Sequence, residues 1–281
     1  MNALEIKNVS KSFSEFCLDN VSLTLPSGCI MGLIGENGAG KSTTIKLILD
    51  MLHKDSGTIT MLGKDNGKDI SLIKEDVGVV MDEVGIPECL TAKQVGKVMS
   101  HTFRNWDEAE YARLLKKLSL PDSKPFRDFS RGMKMKLGIA VAMSHGAKLL
   151  LLDEPTSGLD PVVRDEVVEM FYEFTRDENH SILISSHIVS DLERLCDYVA
   201  FLHKGKLLLC EEKDELLSEY GIIHCTAEQL SALDKNTVKY KKETPYGAEV
   251  IVSREDAPDG FKLSPITIEE LFVFMVKEAR Q

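Results

Sequence analysis

The sequence contains no run of apolar residues long enough to span a bilayer. A membrane-spanning helix needs roughly 18 to 20 mostly apolar residues, and apolar runs here, such as "LFVFMV" at 271–276, are far shorter. The first residues, "MNALEIKNVSKSF", also lack the apolar centre of a secretory signal. The sequence therefore predicts a chain that works in the cytoplasm.

Basic residues are fewer than acidic ones, and the cysteines show no pairing motif. Asp and Glu outnumber Lys and Arg by 45 to 34, which gives a net charge of −11. This balance argues against broad, non-specific nucleic-acid binding, because such binding needs an excess of cations to displace counterions from phosphates. The six cysteines form no C-x-x-C pair, so we interpret them as reduced thiols and not as a zinc site or a disulfide framework.

The pattern that is present indicates an α/β fold with a mainly parallel core sheet. Short apolar runs that alternate with helical patterns are typical of parallel strands buried on both faces. The runs expected to form strands are "CIMGLI" at 29–34, "VGVVM" at 77–81, "KLLLL" at 148–152, "SILIS" at 181–185 and "YVAFLH" at 198–203. Helical patterns follow at 41–51, 161–177 and 188–196.

Three further regions are predicted around this core. The first thirty or so residues alternate β-rich runs with turns and predict an antiparallel β region. Residues of about 85–147 are mostly helical in pattern and predict a helical subdomain. After about residue 212 the runs "TVKYKK" and "AEVIVS", separated by the turn "TPYG", predict a hairpin, and Thr267 with Glu270 predicts a capping box. We therefore expect one domain over 1–212 and a small α+β domain over 213–281.

The stretch "GENGAGKST" fits the pattern G-x-x-x-x-G-K-[ST] between a predicted strand and a predicted helix. In such a loop the backbone N–H groups surround phosphate oxygens, the lysine contacts the terminal phosphates and the serine hydroxyl can bind Mg²⁺. We call residues 35–43 the P-loop. Its candidate ATP-binding residues are Gly35, Glu36, Asn37, Gly38, Ala39, Gly40, Lys41, Ser42 and Thr43.

The stretch "KLLLLDEPTSGLD" places two carboxylates after a buried strand. Ligands of open α/β sheets bind at the carboxyl ends of the strands, so Asp153 is a candidate for holding Mg²⁺ together with Ser42. Glu154 is a candidate for polarising the attacking water. Asp160, directly before Pro161, is also predicted to cap a helix.

With these motifs, residues 1 to about 212 resemble the ATP-binding cassette family, specifically the ATPase subunit of ABC transporters. The most diagnostic stretch is "DEPTSGLD". The resemblance implies that Glu154 is the catalytic carboxylate, that Lys41 serves catalysis and that His187 senses the γ-phosphate. It also implies that Ser157–Asp160 cross a dimer interface.

The resemblance gives a reason for an unusual helix start in "DFSRGMKMKLGIAVAM" at 128–143. Arg131, Lys134 and Lys136 crowd the first turn of this predicted helix, where the helix dipole is already positive. "FSRGM" lies where the family carries its signature loop, whose Ser and Gly face the ATP of the other subunit, and Ser130 and Gly132 match that pattern. We therefore expect ATP supplied by a second subunit to be the anion that these cations meet, with a solvated polar face as the alternative.

The resemblance also assigns roles to two more residues, and at each of them this chain differs from the residue that is usual in the family. Phe13 matches the aromatic residue that stacks on adenine, where the family more often has Tyr. Asp82 stands where the family has a glutamine that touches Mg²⁺ and contacts the membrane partner. We expect Asp82 to be a third Mg²⁺ contact beside Ser42 and Asp153.

The resemblance implies a motor subunit that uses ATP and Mg²⁺, pairs with a second copy or a relative, and drives a separate transmembrane permease, with export favoured. Such a subunit would lie at the inner face of the cell membrane. One alternative is a soluble ABC ATPase without a membrane partner, such as a cofactor-assembly ATPase. A regulator that binds nucleotide without turnover is less favoured, because both Glu154 and His187 are present.

Overall fold

The chain forms two compact units, Met1–Cys210 and Glu211–Gln281. The computed structural model describes residues 1–234, 237–245, 247–258 and 260–279. The division lies two residues before the boundary expected from the sequence. The strands of the first unit are β1 (Asn2–Ser12), β2 (Cys17–Pro26), β3 (Ile30–Ile34), β4 (Ser56–Met61), β5 (Lys64–Asp65), β6 (Val77–Val80), β7 (Leu149–Asp153), β8 (Ser181–Ser186), β9 (Tyr198–His203) and β10 (Lys206–Glu212), the last of which extends two residues past Cys210. Its helices are α1 (Lys41–Ile48), α2 (Asn66–Ile73), α3 (Ala92–Thr102), α4 (Glu108–Lys117), α5 (Arg131–Met143), α6 (Pro161–Phe174) and α7 (Val189–Leu195).

The core sheet has the strand order β10-β9-β3-β8-β7-β6. β3 pairs in parallel with β8 and β9, and β7 pairs in parallel with β6 and β8. Every residue of β3, β7 and β8 is buried, as expected for apolar strands covered on both faces. The parallel arrangement brings the carboxyl ends of β3, β6, β7 and β8 to one edge of the sheet, where the candidate site lies.

A second sheet contains the N-terminal strands in the order β2-β1-β4-β5 and is antiparallel throughout. Its inward residues join the apolar core of the first unit. This sheet confirms the predicted N-terminal antiparallel region.

A helical segment connects β6 to β7 and confirms the predicted helical subdomain. α3 begins with a capping box between Thr91 and Gln94, and α4 is capped by Asp107. The buried Tyr111 ring of α4 packs under α3, and its hydroxyl donates to the carbonyl of Ala92 at 2.8 Å. The chain between α4 and α5 contains Pro121 and Pro125, and it forms only a short 3-10 turn at 126–128.

The second unit is an antiparallel sheet with helices. Its elements are α8 (Lys213–Glu219), β11 (Tyr220–Cys225), α9 (Ala227–Ala232), β12 (Tyr240–Thr244), β13 (Gly247–Ser253) and α10 (Ile268–Glu278). The strand order is β11-β13-β12. The predicted hairpin corresponds to β12 and β13, with Tyr246 of its turn outside the described residues, and both hydrogen bonds of the predicted capping box of Thr267 and Glu270 are made.

Some element boundaries differ from those expected. α1 ends at Ile48 and not at residue 51, because Asp50 adopts a left-handed φ of 53° that ends the helix. α2, which begins after the Asp65 cap, was not predicted. Asp160 caps α6 by accepting from the N–H of Val163 at 3.1 Å, as predicted. Among the described residues, no helix is long and apolar enough to cross a membrane.

Candidate active site

The P-loop joins the buried strand β3 to α1 and leaves the first backbone N–H groups of the helix without a side-chain cap. Gly38 and Gly40 adopt φ values of +80° and +112°, which L residues with side chains rarely adopt. Gly40 is the N-cap of α1, and no acidic residue lies in the first turn. Free N–H groups and the positive helix dipole make this loop a site for an anion such as a phosphate.

Lys41 extends back over the P-loop. Its Nζ donates to the carbonyl of Gly35 at 2.7 Å and lies 3.1 Å from Oε1 of Glu154. The lysine side chain is almost fully buried, so this ion pair offsets much of the cost of burying its charge. An entering phosphate would compete with Glu154 for the same ammonium group.

The two carboxylates at the end of β7 are held differently from each other. Asp153 is buried and accepts a hydrogen bond of 2.6 Å from Oγ of Ser185, on the neighbouring strand β8. Glu154 adopts a left-handed φ of 53°, and its N–H is held by both the carbonyl and the hydroxyl of Ser185. A non-glycine residue in this region is uncommon and is typical of functional sites. This backbone turn directs the Glu154 side chain to Lys41.

His187, which follows β8, completes the arrangement. Its Nδ1 lies 2.7 Å from Oε2 of Glu154, and its backbone N–H donates to the same oxygen at 3.3 Å. Each carboxylate oxygen of Glu154 therefore has a partner, one being Lys41 and the other His187. The three residues that the sequence assigned to catalysis lie together.

An open cleft of about 540 Å³ runs over these groups. The residues that line it are Phe16, Glu36, Asn37, Gly38, Gly40, Lys41, Ser42, Thr43, Asp82, Glu154, Ser157 and His187. Of the other candidate residues, Gly35, Ala39 and Asp153 are buried outside this lining.

Phe13 also lies outside the lining and is 43 % exposed. The aromatic residue that lines the cleft is Phe16, which sequence reasoning missed, and the centroids of the two rings are 6.2 Å apart. Ser185 was missed as well. Its signal was the pair of serines that ends the apolar run "SILISS" beside the carboxylate strand.

The cations at the start of α5 have partners within the chain. Arg131 pairs with Asp82 at 2.7 Å, Lys134 lies 4.9 Å from the centroid of the Phe126 ring, and the buried Lys136 pairs with Glu166 at 2.8 Å. The idea that this helix start needs the anion of a second subunit is therefore wrong. Tertiary ion pairs and a cation–π contact give each of these cations a partner at the positive end of the helix dipole.

Ser130 and Gly132 flank Arg131 outside the cleft of their own chain. The Ser130 hydroxyl caps α5 by accepting from the N–H of Met133, and the residue is exposed. Gly132 lies against Leu159, which belongs to the loop after β7. Ser130 and Gly132 thus lie together at the start of α5 and apart from the P-loop.

Comparison with known proteins identifies the family. The sequence model for ABC transporters matches residues 18–157, and the lantibiotic transport ATP-binding protein SrtF of Streptococcus pyogenes is 36 % identical over 243 residues, covering 85 % of this chain and 99 % of SrtF. The chain belongs to the ABC transporter family. As the ATP-binding subunit of such a transporter, it binds and hydrolyses ATP and powers transport by a transmembrane partner.

Two further ABC proteins support this assignment. The ABC transporter ATP-binding protein YtrB of Bacillus subtilis (strain 168) is 30 % identical over 283 residues, covering 96 % of this chain and 97 % of YtrB. A solved structure described as the ATP-binding subunit of an ABC transporter has a TM-score of 0.70 and 30 % identity, covering 76 % of this chain and 91 % of that one. The likeness confirms the predicted P-loop fold.

Proposed function

We propose that this ABC subunit hydrolyses ATP in the cleft through Lys41, Glu154 and His187, and that it drives export through a separate permease. The observation that supports the proposed site most directly is the pairing of Glu154 with both Lys41 and His187 over the P-loop. These groups have the chemistry that phosphoryl transfer to water requires, namely a phosphate-binding cation and a carboxylate that can polarise water.

In this proposal the P-loop N–H groups bind the phosphates, and Lys41 exchanges Glu154 for phosphate oxygens. Glu154 then has one oxygen free to accept a hydrogen bond from the attacking water. His187 keeps the other oxygen in place through its ring and its backbone N–H. The left-handed turn at Glu154 maintains this direction, because the Ser185 carbonyl and hydroxyl both fix its N–H.

The oxygen donors near the P-loop fit Mg²⁺. Mg²⁺ is usually held by one or two carboxylates together with substrate phosphates, and the described residues contain no cluster of three or more His, Cys, Asp or Glu side chains that could hold a metal alone. Ser42, Asp153 and Asp82 would hold the ion. When bound, it would neutralise negative charge on the phosphates.

We further propose that the working unit is a dimer, with a second copy or a related subunit. Ser130 and Gly132 would face the γ-phosphate bound by the other subunit, and Ser157–Asp160 would lie at the interface. The position of Ser130, exposed and outside its own cleft, supports this arrangement.

A role in transport is supported by the relative SrtF, which is named for lantibiotic transport. Residues 1–212 would form the ATPase domain and 213–281 an accessory domain. The match with YtrB covers 96 % of this chain and so includes most of the second unit, which supports a role for that unit within transport ATPases. The subunit would lie on the cytoplasmic face of the membrane.

Purification of the native chain from membranes in mild detergent tests whether it has a membrane-embedded partner. We expect one integral membrane protein to co-purify with two ATPase subunits and to change the hydrolysis rate when both are reconstituted in lipid. If the chain hydrolyses ATP but no membrane protein accompanies it, the soluble alternative, such as a cofactor-assembly ATPase, is favoured.

A further inference from the structure

Arg131 connects two loops that form walls of the cleft. Its Nη2 donates to Oδ1 of Asp82 at 2.7 Å, and Asp82 follows β6 and lines the cleft. The same guanidinium lies over Gly158, in the loop after β7, where three of its atoms are 3.3 Å from the position that a Cβ would take. Gly158 has a φ of +69°, so both the backbone and the close approach of Arg131 favour glycine there.

The charges on the cleft lining explain why a cation is useful at this place. The described residues that line the cleft include the carboxylates of Glu36, Asp82 and Glu154, and Lys41. Glu154 is paired with Lys41, and the Asp82 carboxylate is paired with Arg131. A triphosphate carries several negative charges, so an unneutralised carboxylate on the lining would repel it.

We propose that Arg131 is a positioning residue for nucleotide binding, which neutralises Asp82 and ties it to the loop of Gly158 so that the cleft accepts ATP. The proposal rests on the proposed nucleotide site. Asp82, at which this chain departs from the pattern of its family, would then form one functional pair with Arg131. Removing either Arg131 or Asp82 alone would change the net charge at the cleft, whereas removing both would not.

Binding of ATP in the presence of EDTA tests this proposal, because no metal is then available and no turnover occurs. We expect Arg131→Met to weaken ATP binding by about three- to fivefold, as is typical for an exposed ion pair. Asp82→Asn should bind ATP as tightly as the wild type or more tightly. The double variant should regain wild-type affinity, since the repelling charge is gone together with its partner.

Two variants separate charge from other effects. Lys134→Met removes a positive charge from the same helix start, where Lys134 contacts the Phe126 ring, and should change ATP binding by less than about twofold. Arg131→Lys should recover most of the affinity lost in Arg131→Met if charge is decisive. The effect of Arg131→Met should also shrink at high salt, because an exposed pair is screened.

Equal ATP affinity of Arg131→Met and the wild type would overturn the proposal. So would a loss that persists in the double variant, because a purely structural role of Arg131 would not be rescued by removing Asp82. The Tm of each variant shows whether the fold is intact. If the wild type itself fails to bind ATP, the proposed nucleotide site is wrong, and this outcome is distinct from a failure of the Arg131 proposal alone.

Discussion

The two sides of the cleft are built by different means. On one side, the P-loop and the turn at Glu154 depend on backbone geometry, with left-handed φ values at Gly38, Gly40 and Glu154. On the other side, the Asp82–Arg131 pair is a contact between exposed side chains that are 49 positions apart in sequence. The P-loop and the stretch that contains Glu154 agree closely with the family pattern, whereas Asp82 departs from it. We therefore expect binding and hydrolysis to depend mainly on the P-loop and the turn at Glu154, and the Asp82–Arg131 pair to adjust them.

The largest effect is expected on the backbone side, from Lys41→Ala. This change removes the phosphate-binding ammonium and leaves Oε1 of Glu154 without its cation. Charge-assisted hydrogen bonds are each worth about 1.5 to 3 kcal/mol, so we expect ATP affinity to fall by about 100-fold and hydrolysis to be lost. Lys46→Ala, in the last turn of the same helix and outside the cleft lining, is the matched control. Similar losses in both variants would contradict a specific role of Lys41.

Ser130→Arg tests the part of the site that is proposed to act on a second subunit. Because Ser130 lies outside its own cleft, ATP binding to the monomer should be preserved while hydrolysis is blocked. Mixing this variant with Lys41→Ala should restore part of the hydrolysis, since one composite site then has both an intact lysine and an intact serine. Mixed dimers that form and remain inactive would argue against the trans arrangement.

The two phenylalanines near the P-loop give a sharper comparison between sequence and structure. If adenine stacks on the aromatic residue that lines the cleft, Phe16→Ala should weaken ATP binding by about tenfold, in line with the 1 to 3 kcal/mol of a base stacking on an aromatic ring. Phe13→Ala should weaken it by less than about threefold, because Phe13 lies outside the lining. Titration with inorganic triphosphate is the control, since it lacks a base and should not distinguish the variants. A larger loss of ATP affinity in Phe13→Ala than in Phe16→Ala would assign adenine stacking to Phe13.

The smallest effect is expected from Asp82→Asn, measured as the Mg²⁺ concentration that gives half-maximal hydrolysis at saturating ATP. The lost negative charge should raise this concentration about threefold, because exposed charges interact weakly through water. Glu83→Gln, an exposed neighbour outside the cleft lining, is the control. If the Asp82 and wild-type curves superimpose, Asp82 does not contribute to the metal site.

The sequence predicts the features that neighbouring residues encode, and it does not predict contacts between distant side chains. The buried strands, the capping box of Thr267 and the cap at Asp160 were predictable, because period, burial and caps are encoded by neighbouring residues. The contact of Asp82 with Arg131 was not, since no local pattern specifies which distant side chains will pair. The partners of Lys134 and Lys136 were missed for the same reason.

Local backbone detail also limited the prediction. The helical pattern continues past Ile48, yet the left-handed φ of Asp50 ends α1 there. The hydrogen bonds of Ser185 to Asp153 and Glu154 depend on the register between β7 and β8, in which Asp153 is opposite Ser185. Register in a parallel sheet is set by tertiary packing, so the chemistry of Asp153 could be predicted but its partner could not.

The central claim is that Glu154 acts on water while Lys41 and the P-loop bind ATP. The most direct test is Glu154→Gln, with hydrolysis and ATP binding measured on the same preparation and mass in solution followed by light scattering with Mg²⁺ and ATP. We expect hydrolysis to fall by at least about 100-fold, as is typical when a general base is removed, with ATP affinity retained and an ATP-bound dimer accumulating. Turnover at the wild-type rate would contradict the claim.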